Sequence, residues 1–439
     1  MRRAAQKIVV KLRQHGYEAF FAGGWVRDHL LRRKPQDIDI ATSAHPEDVL
    51  GIFRRATPIG ARFGVVQVRM YNHPYDVATF RTEGLYVDGR HPSMVDFSGP
   101  EQDALRRDFT VNGLFYDPLA DRVIDYVGGV ADIRRRTLRT IGAAHARFGE
   151  DRLRMLRAIR LACNLDFEIE PETLEAIKQL APHILEVSWE RIRDELLKII
   201  AGPMPDRGLN LLHSTGLLIN ILPEVEAMRD IPQPAEYHPE GDVFVHTGKA
   251  LGLLRKPSPV LALATLLHDV GKPPTFAVKD RIRFDRHADV GARIAEDVCR
   301  RLRMSNDETA RVIELVRDHL QFLNLHEMRR STLKRFLARV GFAEHLELHR
   351  VDCLSSNGDL QTYRFAREKF EELQLEPTPP TPVITGRDLI SMGYKPGPLF
   401  GRILRLVEDY HLENPQLTIE AAREYVRRTF PRKKSGGET

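Results

Sequence analysis

Cysteine is scarce in this chain: Cys163, Cys299 and Cys353 are the three in 439 residues. They lie far apart and form no CxxC pair, which excludes a disulfide framework and a zinc ribbon and suits a reducing cytosol. Long apolar runs are also missing. The longest, Val260 to Leu267, has the length of a core segment and falls well short of the roughly 20 residues of a membrane helix. The first residues, MRRAAQKIVVKL, are basic but carry an apolar patch of only two or three residues. No secretory leader is expected from them, and a cytoplasmic location is. Strand and helix signals alternate without the strict spacing of a Rossmann sheet, so a small mixed sheet flanked by helices is expected instead.

What is present is ordinary for a globular protein, with 42% hydrophobic and 29% charged residues. The length predicts several domains, about two to four. The net charge of +5 is mild, but the basic residues cluster, at Arg32-Arg33-Lys34, Arg134-Arg135-Arg136, Arg152 to Arg160, Arg300-Arg301-Arg303 and Arg427 to Lys434. Such patches neutralise nucleic-acid phosphates. They are equally what a solvated helix face looks like, and composition does not choose.

The informative opening is FFAGGWVRDHLLRRKPQDIDIAT, residues 20–42. A strand from Ala19 to Ala22 stops at Gly23-Gly24, and Trp25 to Leu31 follows as a helix. Glycine at such a turn lets backbone N–H groups approach a ligand that a Cβ would hold off. A helix N-terminus favours an anion. Arg27 lies one turn in, where a guanidinium can grip phosphate oxygens. On the next strand, Asp37 to Ala41, Asp37 and Asp39 share one face while Ile38 and Ile40 take the other. Two adjacent carboxylates repel unless a cation bridges them, and all-oxygen ligation opposite a phosphate suits Mg²⁺. A DxD by itself is more often the wet side of an edge strand, and a GG alone proves nothing. Their joint occurrence in one strand–helix–strand unit points to a triphosphate cradle facing a metal platform, as nucleotidyl transfer requires.

The pattern GG-x-V-R-D followed by D-I-D-I-A-T resembles the opening of class II tRNA nucleotidyltransferases and bacterial poly(A) polymerases. Further motifs follow in the family's order. A helix from Pro46 to Phe53 is succeeded by strands at Val65 to Met70 and Tyr75 to Phe80. Asp76 on the second strand is, by itself, a solvent-facing residue. The resemblance implies that it is the third catalytic carboxylate beside Asp37 and Asp39. Thr82 to Pro100 shows no period and is expected to be a long loop. The block RRDFT-x-NG, Arg106 to Gly113, could be a capped helix start. The family match places Arg107, Asp108 and Asn112 near the incoming nucleotide, together with Gly23, Gly24, Arg27 and Asp28. Asp125 to Gly129 matches the family's D-x-x-GG turn.

From His145 to Ala162 the spacing predicts one helix, with Phe148, Leu153, Leu156, Ile159 and Ala162 on its apolar face. Asp151, Arg154 and Arg157 follow one another at three-residue steps along one side. An exposed salt-bridge ladder would look the same, but a specific chemical role also fits. Cytosine and adenine each present an amino donor beside a ring-nitrogen acceptor. A carboxylate beside a guanidinium is complementary to that edge, whereas uracil and guanine leave a donor facing a donor. Unsatisfied buried polar partners are what make such discrimination large. EDxxR, Glu150 to Arg154, resembles the family's base-reading helix. By the same match Arg157 and Arg160 hold phosphate, and Trp189 to Leu196 is a helix supporting the neck.

A proline-rich stretch, Pro223 to Pro239, precedes His246, the pair His268-Asp269 closed by Gly271-Lys272-Pro273, then His287, His319 and Asp352. A lone histidine beside an apolar helix is usually a satisfied core residue. An adjacent His-Asp at the end of an apolar helix is a stronger signal, because packing gives no reason for two ligating groups there. The pattern resembles the HD phosphohydrolase superfamily. That resemblance implies His246, His268, Asp269 and Asp352 as core ligands of a divalent metal of unspecified identity, with His287 and His319 completing a two-metal set. The chemistry implied is metal-assisted phosphoester hydrolysis. In the last part, Thr378 to Pro382 is expected to be a stiff linker, Thr385 to Gly401 resembles the family's tRNA-contacting element, and two helices should fill 399–430.

The expected architecture is α+β. It places a nucleotidyltransferase head with a small mixed sheet over 1–141, an all-α neck over 142–220, a helical HD domain over 221–375 and a helical tail over 376–439 with a disordered terminus. The expected partners are tRNA, CTP and ATP, with CCA addition as the activity. Poly(A) synthesis or addition of only CC or only A stays open, as does a non-enzymatic RNA-binding protein with an HD nucleotide sensor. A monomer and a homodimer are both compatible.

Overall fold

The computed structural model describes every residue except 36, 61–63, 84–94, 235, 237–240, 376–382, 415 and 432–439. The expected linker and terminal tail, and the middle of the expected 82–100 loop, therefore lie outside the described residues. Among them no helix is long and apolar enough to cross a membrane.

The head is a seven-stranded mixed sheet, ordered β3-β4-β5-β2-β1-β8-β9. Its strands are β1 (Ala19–Ala22), β2 (Asp39–Thr42), β3 (Ala56–Gly60), β4 (Val65–Met70), β5 (His73–Thr79), β8 (Leu114–Asp117) and β9 (Arg122–Asp125). Within this sheet, β2 and β5 are the parallel pair among the described residues, with Ile40 opposite Val77. That register sets Asp39 level with Asp76. Alternation in β1 sends Phe21 into the main core and Phe20 and Ala22 into a smaller apolar cluster on the opposite face, with Ala41, Phe80 and Phe115. Helices α1 (Arg2–Gln14), α2 (Gly24–Leu30), α3 (Pro46–Ile52), α4 (Pro100–Leu105) and α5 (Gly129–Arg135) flank the sheet.

Two expectations are corrected here. The second strand starts at Asp39, leaving Asp37 and Ile38 just before it. The described ends of the 82–100 stretch are not loop. β6 (Arg81–Glu83) and β7 (Val95–Phe97) pair antiparallel, and Pro100 opens α4 with proline at its first position.

The neck comprises α6 (Ala144–Glu150), α7 (Arg154–Leu165), α8 (Pro171–Leu180), α9 (Trp189–Ile200), α10 (Pro205–Ser214), α11 (Leu217–Ile221) and α12 (Pro223–Glu226). The single helix expected over 145–162 is two. Asp151 sits between them in an extended conformation, φ −146° and ψ 106°. Its Oδ1 accepts from the Leu153 N–H at 3.1 Å and its carbonyl from the Arg154 N–H at 3.1 Å. Aspartate here offers the backbone a turn that competes with the helix, which apolar spacing alone does not register.

Helices α13 (Val243–Gly252), α14 (Pro259–Leu267), α15 (Lys272–Thr275), α16 (His287–Arg301), α17 (Asn306–Asp318), α18 (Arg330–Leu337), α19 (Phe342–Ser355) and α20 (Gln361–Leu375) follow, then α21 (Gly386–Ser391), α22 (Pro398–Glu413) and α23 (Ile419–Thr429). One continuous apolar core runs from Ala4 in α1 to Val351 in α19. α9 packs on α14 and α10 on α13, so the proline-rich stretch does not interrupt it. The α21–α23 segment has its own small core, including Ile384, Leu389, Ile403 and Val426.

Candidate functional site

A cleft of about 910 Å³ opens between the sheet and the neck. Its floor is the edge where β1 turns into α2. Gly23 holds φ 65°, and a Cβ there would meet Nη1 of Arg107 at 3.2 Å and Oδ2 of Asp39 at 3.9 Å. Glycine thus supplies both the left-handed backbone and the space.

Asp37, Asp39 and Asp76 line the same cleft. Desolvation, then the charges of Asp37 and Asp76, push the Asp39 carboxyl up to about 6, with Arg107 pulling the other way. Three acids crowded on one floor, with the pKa of Asp39 raised, form a donor set that a divalent cation would relieve. The residues therefore fit the metal that the head chemistry calls for.

The cationic wall is a chain of hydrogen bonds from head to neck. Arg27 is braced by Asp28, its Nε donating to Oδ1 at 2.9 Å, and its Nη1 donates to Asn112 Oδ1 at 2.7 Å. Asn112 Nδ2 reaches Asp108 Oδ1 at 3.3 Å, and Arg157 Nε donates to Asp108 Oδ2 at 2.9 Å. Both oxygens of Asp108 are thus engaged by protein groups. Burial alone would raise its pKa, but the Arg157 charge and the hydrogen bonds from Arg157, Asn112 and the Phe109 N–H hold it down at about 2. Arg107 is clamped by Asp103 at 2.9 Å and lies over the Phe115 ring at 5.0 Å. Arg160 pairs with Glu195 of α9 at 3.0 Å.

On the neck side, Asp151 and Arg154 border the cleft but do not bond each other in the hydrogen bonds described. Asp151 Oδ2 accepts from Arg191 Nη2 at 2.8 Å. Arg154 Nη1 donates to the Arg147 carbonyl at 2.9 Å and also pairs with Glu150. The structure brings all fourteen head and neck residues singled out from the sequence to one cleft: Gly23, Gly24, Arg27, Asp28, Asp37, Asp39, Asp76, Arg107, Asp108, Asn112, Asp151, Arg154, Arg157 and Arg160. Arg33, Lys34 and Arg106 line it as well and were not singled out there. The first two belong to a basic run that sequence reasoning treated only as a patch.

A second centre lies among α13, α14, α16, α17 and α19. Ligating atoms of His246, His268 and Asp352 form one group, and those of Asp269, His287 and His319 another, within 4.8 Å of one another in each. Nε2 of His246 is 3.2 Å from Nε2 of His268, and Nε2 of His287 is 3.3 Å from Nε2 of His319. Nδ1 of His268, His287 and His319 sits 2.8, 3.0 and 2.7 Å from the carbonyls of Thr265, Phe284 and Val316. A carbonyl cannot donate, so Nδ1 carries the proton and each Nε2 turns a lone pair inward. Burial pushes His287 down and His319 down to about 4, so both are neutral near pH 7. Asp269 is held well below the usual carboxylate range by His268 and Lys272 against the cost of burial. Inward imidazole lone pairs with buried carboxylates fit one or two divalent metals. Gly271 is required here by space, since a Cβ would fall 2.1 Å from the His287 carbonyl oxygen.

Sequence reasoning quoted Lys272 only as part of a motif. Its buried ammonium bonds Asp269 Oδ2 and Gln233 Oε1, both at 2.6 Å.

Three stretches match known domain families: 19–139 the Poly A polymerase head domain, 166–229 the family described as "Probable RNA and SrmB- binding site of polymerase A", and 245–340 the HD domain. The chain thus carries, in this order, segments similar to a Poly A polymerase head domain, an RNA-binding region of polymerase A and an HD domain. A CCA-adding enzyme from Geobacillus stearothermophilus is 47% identical over 211 residues, 48% of this chain and 52% of that protein. The CCA-adding enzyme of Streptococcus sanguinis SK36 is 42% identical over 226 residues, 51% of this chain and 56% of its own length. These alignments span about half the length of the curated relatives. A crystal structure of the Bacillus stearothermophilus CCA-adding enzyme in complex with CTP superposes with TM-score 0.74 at 28% identity, covering 97% of each chain.

Proposed function

We propose that the head and neck add C, C and A to the 3′ end of tRNA from CTP and ATP without a nucleic-acid template. The carrying observation is that three carboxylates and the Asp151/Arg154 edge share one cleft. The similar enzyme of known structure, crystallised with CTP, supports the same reading.

In the reaction the RNA 3′ oxygen forms a bond to the α-phosphorus of the nucleotide while the bond to the β-phosphate oxygen breaks and pyrophosphate leaves. Asp37 and Asp39 would hold a divalent cation, for which we propose Mg²⁺, with Asp76 beside them. When bound, that cation would supply Lewis-acid stabilisation of the charge that develops on the reacting oxygens. Arg27, oriented by Asp28 and Asn112, places a guanidinium against the triphosphate, and Gly23 and Gly24 let it approach the backbone. Asp151 accepts the exocyclic amine and Arg154 donates to the ring nitrogen, so CTP and ATP are chosen over UTP and GTP. A tRNA lacking its 3′ end, incubated with each of the four labelled triphosphates, tests this. Addition of A alone would indicate a poly(A) polymerase, and arrest after CC or addition of only the terminal A a partial enzyme. No addition at all would refute the reading.

We propose further that the HD centre hydrolyses phosphoesters at RNA ends, a 2′,3′-cyclic or terminal phosphate, which would restore the 3′-hydroxyl the head uses. His246, His268, Asp269, His287, His319 and Asp352 would hold the metal. Phosphate release with Mg²⁺, Mn²⁺, Co²⁺ or Ni²⁺ tests it, and no release with any of them would leave a structural or sensing module.

A further inference from the structure

We infer that Arg191, on α9, positions the base-reading edge by holding Asp151 away from Arg154. The inference rests on the base-selection reading above. Asp151 and Arg154 carry opposite charges three residues apart, beside the same cleft. A carboxylate and a guanidinium bordering one cleft attract each other and can pair. Paired, each would spend on the other the hydrogen bonds a nucleobase needs, and the edge would vanish.

The structure shows how the collapse is avoided. Arg191 Nη2 takes Asp151 Oδ2 at 2.8 Å, while the turn itself takes Oδ1 through the Leu153 N–H at 3.1 Å. Arg154 is drawn the other way, to Glu150 and to the Arg147 carbonyl. Glu150 is in turn fixed by Arg147 Nη1 at 3.0 Å. The two reading side chains therefore carry separate anchors. Arg191 stands behind Asp151 rather than among the cleft-lining residues, so it acts through Asp151 and is a positioning residue. α9 packs directly on α7, and its apolar residues Ile192, Leu196 and Ile199 are buried in the main core. That packing supplies a rigid base for the anchor. The cytosine or adenine edge then meets an acceptor already aimed, and a wrong base meets one that cannot turn to suit it.

The test is single-nucleotide incorporation on a tRNA lacking its 3′ end, with kcat and KM taken separately for CTP, ATP, UTP and GTP. The variants are Arg191→Met, Arg191→Lys and Asp151→Ala. In Arg191→Met the preference for CTP over UTP should fall roughly tenfold or more, mainly through a higher KM for CTP, with kcat at saturation within about threefold. Arg191→Lys should recover part of the preference, since one donor can still hold Oδ2. A brace that merely stabilises the neck would lower all four nucleotides together. That result, or an unchanged preference, would overturn the inference. Arg191→Gln, which keeps a donor but no charge, serves the same comparison should the Met variant fail to fold. If Asp151→Ala leaves the preference intact, base selection itself is misassigned. If Asp151→Ala blurs it and Arg191→Met does not, the positioning role alone falls.

Discussion

Replacing Asp108 by Asn removes one buried charge and little volume, and its consequence can be worked from the structure. Asp108 joins head to neck: it receives Arg157 of α7 at 2.9 Å and the Phe109 N–H and Asn112 from its own loop. Burial opposes its ionisation, yet these partners bring its pKa from 3.8 to about 2. The fall corresponds to about 2.5 kcal/mol of native-state stabilisation at neutral pH. Because the folded pKa is depressed, that contribution is complete above about pH 4 and is lost as pH falls through about 2. The Asn variant, whose amide oxygen can still accept from Arg157, should be about 2 kcal/mol less stable at pH 7, and the difference should shrink toward zero near pH 2. The chain's two tryptophans report on the two sides, Trp25 packed on Phe21 in the head and Trp189 at the start of α9. Urea unfolding followed by their fluorescence at several pH values therefore measures the difference directly. Equal stability at pH 7, or a difference that does not change with pH, would refute the assignment of the charge to this latch.

Asp39→Ala should abolish nucleotide addition while tRNA affinity in a filter-binding assay stays near normal, because a ligand of the reacting centre is lost without touching the helical surfaces; near-normal turnover with Mg²⁺ would count against the carboxylate floor. Asp151→Ala should raise misincorporation of UTP relative to CTP before total addition collapses, read from the same four-nucleotide assay. His268→Ala combined with Asp269→Ala should remove metal-dependent phosphate release yet leave CTP incorporation on an intact 3′-hydroxyl, since the two centres use different residues; parallel loss of both activities would show that the shared core couples them.

Much was legible without coordinates, for physical reasons. Strand side chains alternate by necessity, so Ile40 must face the core and Asp39 the other side, as they do, and Ile38 is buried as well although the strand begins only after it. The GG turn and the proline opening α3 belong to the same class, because local chemistry determined them. The six residues of the second centre were named by resemblance, and their meeting in two groups is the work of the tertiary fold. What the tertiary structure alone decided depends on contacts between residues distant in sequence. The parallel register of β2 with β5 sets Asp76 beside Asp39 across 37 positions of chain, and no local pattern reports a strand partner. The break at Asp151 escaped apolar spacing because a side-chain turn can interrupt a helix without disturbing the period of its buried face. In the sequence, Arg191 is one residue of the Trp189 to Leu196 helix expected to support the neck. Only the packing of α9 against α7 brought it within 2.8 Å of Asp151, 40 residues earlier.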